Sequence, residues 1–347
     1  MMKKILLPLY FLFFVFIGEN IFAQYAENAY KIIFYNVENL FDTENDSLKN
    51  DEEFLPDGDR YWTKSKYFNK LNNIYKVIIA VGEWNPPAII GICEIENRKV
   101  LSDLVTKTPL VKFEYQIIHH ESPDRRGIDV GLLYRDELFK PLYDKAIAVN
   151  FPDNQDYKTR DILYVKGIAN NTDTLHIFVN HWPSRWGGQL ESEPNRVTAA
   201  QTLKNTVDSI FNRNPHSNII ITGDFNDTPV NKSLKKFLQA NLNFESIENT
   251  QLYNASYYLQ QTLNIGSHKY QREWAMLDQF IVSGYLLNTK NKLYTTLDDV
   301  HVFNNDFLLE ADESFYGYKP NRTFIGYRYN GGYSDHLPIY MILNFNQ

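Results

Sequence analysis

The stretch NIIITGDFNDTP, Asn218 to Pro229, decides how this chain folds and where its chemistry lies. Ile219, Ile220, Ile221 and Thr222 are β-branched and read as a strand apolar on both faces, as strands inside layered α/β architectures are. Asp224, Asn226 and Asp227 follow at once. Such an ending predicts that Gly223 turns the backbone, that the Asp224 carboxylate arrives at the sheet rim, and that Phe225 points to the opposite face as packing. Asp224 and Asn226 then share a face. A carboxylate can take a proton from water while a neighbouring amide donates to an anion, a pairing that suits hydrolysis of a phosphate ester.

The pattern repeats along the chain. Candidate strands are KIIFYNV (31–37), AIIGICEI (88–95), DVGLLY (129–134), DILYVKGI (161–168), LHIFVNHW (175–182), LDQFIVS (277–283) and HLPIYMILN (336–344). Tyr67, Leu71, Ile74 and Ile78 step at helical spacing, as do Val197, Ala200, Leu203, Val207 and Ile210 after Pro194; a shorter helix, Val100 to Val105, follows Asn97. Polar residues gather at the strand ends: Asn36, Glu94, His181, Asp224, Asn226, Ser334, Asp335 and His336. Singly, a carboxylate after a strand is a turn former or a cap, and a histidine a satisfied structural residue. Together they read as chemistry mounted on a rigid scaffold.

The formal net charge of -7 and a hydrophobic content of 44% describe globular material with no global basic field, which counts against a nucleic-acid-binding module more than against an enzyme with a local cationic site. Cys93 is the only cysteine, so no intramolecular disulfide forms, and a metal would be held by oxygen and imidazole. Met1 to Ala23 reads as a signal peptide: Lys3 and Lys4, an apolar run from Ile5 to Ile17, and a small residue at Ala23. The run is short for a membrane span. No linker or repeat divides the rest, so residues 24–347 are expected to form one domain, secreted or periplasmic, without a transmembrane anchor and with no stable protein partner implied.

In order along the chain, FYNVENLFD (34–42), GICEIENR (91–98), RRGIDVGLLYR (125–135), TRDILYV (159–165), VNHWPSR (179–185), TGDFND (222–227), MLDQFIVS (276–283) and YSDHLPI (333–339) resemble the endonuclease/exonuclease/phosphatase superfamily. The resemblance implies a DNase I-like four-layer α/β sandwich, two packed mixed β-sheets flanked by helices, with the site at one end. It implies Mg²⁺, with Mn²⁺ or Ca²⁺ as alternatives, held by Glu94 with Asn36 and Asp335. Asp224 would deprotonate the attacking water, and Asn226 would hold a phosphate oxygen. His181 and His336 would grip the phosphate, protonated beside carboxylates, and Asp278 would orient His336 or assist the leaving group. Arg160 matches a phosphate-contacting arginine, and Asp129 falls where a carboxylate orients the first histidine. Arg125, Arg126, Arg185, Trp186 and Arg322 lie in loops beside these motifs and are candidates for a substrate rim. The substrate implied is nucleic acid or another phosphoester: a nuclease first, a phosphatase or lipid phosphodiesterase second, and a non-catalytic binding protein on the same fold last.

Overall fold

The computed structural model describes residues 29–346 apart from Asp153 and Gln155. The signal peptide expected over residues 1–23 lies outside the described residues, as do residues 24–28. In chain order the main elements are β1 (Tyr30–Leu40), α1 (Lys64–Gly82), β2 (Ile89–Ile95), α2 (Arg98–Thr106), β3 (Gln116–His119), β4 (Asp129–Tyr134), β5 (Phe139–Ile147), β6 (Ile162–Ala169), β7 (Asp173–His181), α3 (Gln189–Arg213) and β8 (Asn218–Asp224). Next come β9 (Ala240–Asn241), β10 (Leu252–Asn254), the hairpin β11 (His268–Tyr270) and β12 (Glu273–Ala275), β13 (Asp278–Ser283), β14 (Leu293–Tyr294) and β15 (Val300–Val302). Two ribbons follow, β16 (Leu309–Ala311) with β17 (Tyr318–Pro320) and β18 (Phe324–Ile325) with β19 (Arg328–Tyr329), and β20 (Ile339–Phe345) closes the chain.

Two mixed sheets result. One runs β14-β20-β1-β2-β4-β3, with β15 also on β20; the other runs β5-β6-β7-β8-β13-β10-β9. Strand alternation assigns the layers. Ile32 and Phe34 of β1, Ile177 and Val179 of β7, Ile220 of β8 and Phe280 of β13 fill the space between the sheets. Their neighbours Ile33 and Tyr35 pack outward against Leu71, Ile74 and Ile78 of α1. Ile219 and Ile221 pack outward against Ala200, Leu203 and Val207 of α3. This is the four-layer DNase I-like sandwich. Each fully buried Ile, Leu or Phe adds about 1.5–3 kcal/mol, so the sheet faces hold the rim in place.

That alternation also aims the site. Asn36, His181, Asp224 and Asp278 have the parity of the inner-facing residues of their strands, so each side chain emerges between the two sheets at the same end. Glu94 has the wrong parity, that of the outward-facing Ile90 and Ile92. A bulge corrects it: Glu94 has φ 61°, and the register of β2 against β4 shifts between Cys93 and Ile95. A second bulge lies beside it in β1, with Glu38 and Asn39 also at positive φ. Bulges re-aim side chains, and the left-handed conformation costs a non-glycine residue of order 1–3 kcal/mol.

Local details differ from expectation. Gly223 is not the turn; β8 continues through Asp224. Its missing side chain admits β7, because a Cβ there would lie 2.4 Å from the Asn180 carbonyl oxygen. The left-handed residue that turns the chain is Asn226, φ 50°. Pro194 does not precede α3 but lies inside it, the helix beginning at Gln189. Asn97 caps α2 by accepting from the Val100 N–H at 3.1 Å. Phe225 is fully buried, edge-on to Trp182, as expected of packing.

Candidate active site

Asn36 and Asp224 meet across the two sheets. Asn36 Nδ2 donates to Asp224 Oδ2 at 3.1 Å and to Glu94 Oε1 at 3.2 Å, while Asn36 Oδ1 accepts from the Glu38 N–H at 3.0 Å. His181 Nε2 lies 3.7 Å from Asp224 Oδ2 and 3.9 Å from Glu94 Oε1. His336 Nε2 lies 3.8 Å from the same Asp224 oxygen, and its Nδ1 is 2.6 Å from Asp278 Oδ2. Residues separated by up to 300 positions in sequence thus surround one small volume.

The electrostatics divide the site. Burial raises the Asp224 carboxyl above the usual carboxylate range, and Asp278 and Glu94 add to this against the pull of His336. For His336, burial opposes the charge, yet Asp278 and Asp224 together hold the imidazolium well above the usual histidine range. His181 goes the other way: burial first, then the Arg160 and Arg126 guanidinium groups, push it well below that range. The expectation of two protonated histidines is therefore corrected. Asp278 and Asp224 favour the His336 imidazolium, whereas burial and the two guanidinium groups disfavour that of His181, whose Nδ1 is a buried atom without a partner among the described residues.

The carboxylate expected there, Asp129, has the parity of Gly131, whose Cβ direction meets Leu101 of α2. It therefore leaves the inter-sheet face and cannot reach His181. Its bonds go to the Ser122 N–H and hydroxyl and to His119 Nε2 at 3.2 Å. Arg160 is also placed differently from its expected phosphate contact. Nε and one terminal nitrogen donate to the His181 and Trp182 carbonyls at 3.2 and 2.6 Å, and the other terminal nitrogen to Asp124 at 3.2 Å. It braces the chain carrying His181. Asn226 serves Asp224: its N–H donates to Oδ1 at 2.9 Å, and its Nδ2 lies 3.4 Å from Oδ2 and 3.1 Å from the Trp182 carbonyl. That amide is spent on protein acceptors here and not held free for a phosphate oxygen.

Asp335 takes an Arg322 ion pair at 2.9 Å. Burial would raise it, but Arg322 and His336 outweigh burial and hold it below the ordinary range. Arg322 also pairs with Glu38 at 3.0 Å. Glu38, Lys70 and His268 belong to this neighbourhood and were not singled out from sequence. Lys70 of α1, pushed down to about 8 by burial, donates to the Thr323 hydroxyl and the Tyr333 carbonyl behind Glu38. His268, pushed down to about 4 by burial, has its ring 4.7 Å from that of His336, brought there by a bridge between the two backbones. Only the occurrence of Glu38 in the quoted FYNVENLFD motif was a sequence signal.

The donor set tests whether a cation fits. Glu38, Glu94, Asp224, Asp278 and Asp335 are faced by fewer cations, Arg322, Lys70 and His336. Glu94 and Asp335 are the carboxylates partly open to the cleft, their side chains 16% and 23% exposed. Excess negative charge, oxygen donors and no thiolate ligand fit a hard divalent cation.

A sandwich with this rim defines a phosphoesterase of the DNase I-like class. The chain matches the Endonuclease/Exonuclease/phosphatase family over residues 31–345 and belongs to that family, whose members are phosphoester hydrolases. No curated protein matches it. Among solved structures, humanized D. rerio TDP2 is similar at a TM-score of 0.56 and 14% identity, covering 91% of this chain and 99% of that one. The human Nocturnin catalytic domain gives 0.55 at 17% identity, covering 92% and 95%. The Bacteroides thetaiotaomicron mannosyl-6-phosphatase gives 0.54 at 16%, covering 91% and 99%. At these identities the likeness is one of fold.

Proposed function

We propose that this protein is an exported, Mg²⁺-dependent phosphodiesterase of the nuclease type. The observation that carries the reading is the meeting of Asn36, Glu94, His181, Asp224 and His336 around one carboxylate oxygen, Asp224 Oδ2. Glu94 and Asn36, with Asp335, would hold the cation, which when bound supplies Lewis-acid stabilisation of charge on the phosphate oxygens. Mn²⁺ or Ca²⁺ would bind the same oxygen donors.

The chain's own groups do the rest. Asp224, raised toward neutrality, accepts a proton from the attacking water as the new P–O bond forms and the opposite ester P–O bond breaks. Asn226 and Asn36 fix that carboxylate through their N–H groups. His336, kept cationic by Asp278, donates to a non-bridging oxygen as charge builds there; His181 donates one neutral N–H. The departing ester oxygen collects a proton from water. A nucleic-acid substrate draws support from D. rerio TDP2, a similar structure complexed with a single strand DNA product.

The N-terminal Lys3–Ala23 pattern supports export. Among the described residues no helix is long and apolar enough to cross a membrane. The test is hydrolysis of bis-p-nitrophenyl phosphate by the mature protein, beside p-nitrophenyl phosphate, linear plasmid and sphingomyelin. Turnover of the diester and the plasmid should vanish with EDTA and return with Mg²⁺. Full turnover in excess chelator after dialysis contradicts the mechanism, and preference for the monoester or for sphingomyelin replaces the nuclease reading. Exported material should begin near Gln24; a sequence starting at Met1 contradicts the export assignment.

A further inference from the structure

Beside the catalytic volume lies a cleft of about 700 Å³, bounded by the loop after His181, the loop before β4 and the start of α3. It joins the site through Arg160, which lines the cleft and also holds the His181 and Trp182 carbonyls. Two observations make its chemistry specific. The first is charge. Asp124 is shared between two of the guanidinium groups: Arg160 takes one oxygen at 3.2 Å, and Arg126, half exposed, stands 3.7 Å from the other. Arg125 spends one donor on the Asp156 carbonyl. Four cations, Arg125, Arg126, Lys158 and Arg160, line the cleft against three carboxylates, Asp124, Asp156 and Glu191, in a protein whose net charge is -7. The second is a flat apolar face. Trp186 is 90% exposed at the cleft wall, and the chain after it turns on Gly187 and Gly188, both at positive φ, with open space around Gly187. An indole left in water next to surplus positive charge is complementary to a ligand that pairs an aromatic ring with an anion.

We propose that this cleft is a second substrate subsite, which takes the nucleotide adjoining the scissile phosphate, its base stacked on Trp186 and its outer phosphate on Arg125 and Arg126. The assignment rests on the phosphodiesterase reading for the position of the scissile phosphate and adds the substrate class: a nucleotide chain with exposed bases. Such a chain leaves a base free to stack, whereas a duplex keeps its bases paired. Trp186 and Arg125 are binding groups that touch neither Asp224 nor its partners among the described residues, so their loss leaves the chemistry intact.

The experiment compares wild type, Trp186→Ala and Arg125→Ala of the mature protein on two probes, a short oligothymidylate and bis-p-nitrophenyl phosphate, with tryptophan fluorescence titrated against the oligothymidylate in EDTA. Expected are a rise in KM for the oligothymidylate of about tenfold or more in Trp186→Ala, the scale of losing one stacked base, a smaller rise in Arg125→Ala that shrinks at high salt, and bis-p-nitrophenyl phosphate kinetics unchanged in both. Wild-type fluorescence should quench on titration, and the quench should disappear in Trp186→Ala. An unchanged KM for the oligothymidylate in Trp186→Ala overturns the subsite, as does equal damage to both probes, which would make Trp186 structural. If wild type hydrolyses bis-p-nitrophenyl phosphate but shows no Trp186-dependent quench, the subsite fails and the phosphodiesterase reading stands. If the quench appears and neither probe is hydrolysed, the phosphodiesterase reading fails and the nucleotide subsite stands.

Discussion

His336 and His181 approach the same oxygen, Asp224 Oδ2, at 3.8 and 3.7 Å, yet they carry different charge. Both are buried, so desolvation pushes both toward neutrality. Their second ring nitrogens decide the outcome. His336 Nδ1 meets Asp278 at 2.6 Å, whereas His181 Nδ1 meets no acceptor among the described residues, and two guanidinium groups stand nearby. An imidazole's role is therefore set behind the ring. Here one ring is a fixed cation for a developing phosphate charge, and the other is a neutral donor.

The carboxylate that both rings face should give the largest effect. Asp224→Asn keeps size and packing but removes the basic oxygen, so bis-p-nitrophenyl phosphate turnover should fall by about 10²- to 10⁴-fold, with thermal stability unchanged or raised by relief of repulsion from Asp278 and Glu94. Wild-type rates in that variant make GDFND a structural turn. Next, His336→Ala should cost about 10²- to 10³-fold in kcat, as losing a charged donor does. His181→Ala should cost nearer tenfold, the value of a neutral hydrogen bond of about 1–1.5 kcal/mol. Equal losses would erase the distinction between the two rings.

A third prediction moves the frame that carries Asp224. Gly223→Ala forces a Cβ against the Asn180 carbonyl, so it should destabilise by about 1–3 kcal/mol, seen as a lower urea midpoint. No change in midpoint means β7 and β8 can separate at little cost.

The smallest effect lies outside the site and repeats the argument for a histidine with no carboxylate partner. His176, hydrogen-bonded through Nδ1 to the Tyr164 hydroxyl at 2.7 Å, is pushed down to about 4 by burial. From about pH 6.5 down to 4 the unfolded chain gains a proton on this residue that the folded chain refuses, so its contribution to stability falls as pH falls through that window. His176→Gln should lose less stability between pH 7 and pH 5 than wild type in urea titrations; identical losses contradict the shift.

Much of this was legible in sequence. Long apolar strands such as NIIITGD and LHIFVNH announce themselves because both faces are buried, and their polar ends follow from position alone. What escaped notice did so for identifiable reasons. Strand β5, FKPLYDKAI, contains a proline and keeps Lys140, Tyr143 and Asp144 toward solvent, so it carries no apolar run. The Glu94 bulge depends on one backbone rotation that no side-chain pattern records. Asp129 was expected beside His181 because the motif runs close by, but a one-residue difference in parity sent it to the other face of the sheet, onto Ser122 and His119. His268 reaches the site through a long-range bridge to His336, and the polar segment SHKYQRE around it gives no sign of that destination.

The charge split between the two rings can be read directly by ¹⁵N NMR of histidine-labelled, metal-free protein at neutral pH, with His336→Gln and His181→Gln assigning the signals. The account predicts that His336 shows both ring nitrogens protonated and keeps them so well above pH 7, while His181 shows one protonated nitrogen across the same range. Two rings titrating together, or a cationic His181 beside a neutral His336, would contradict it.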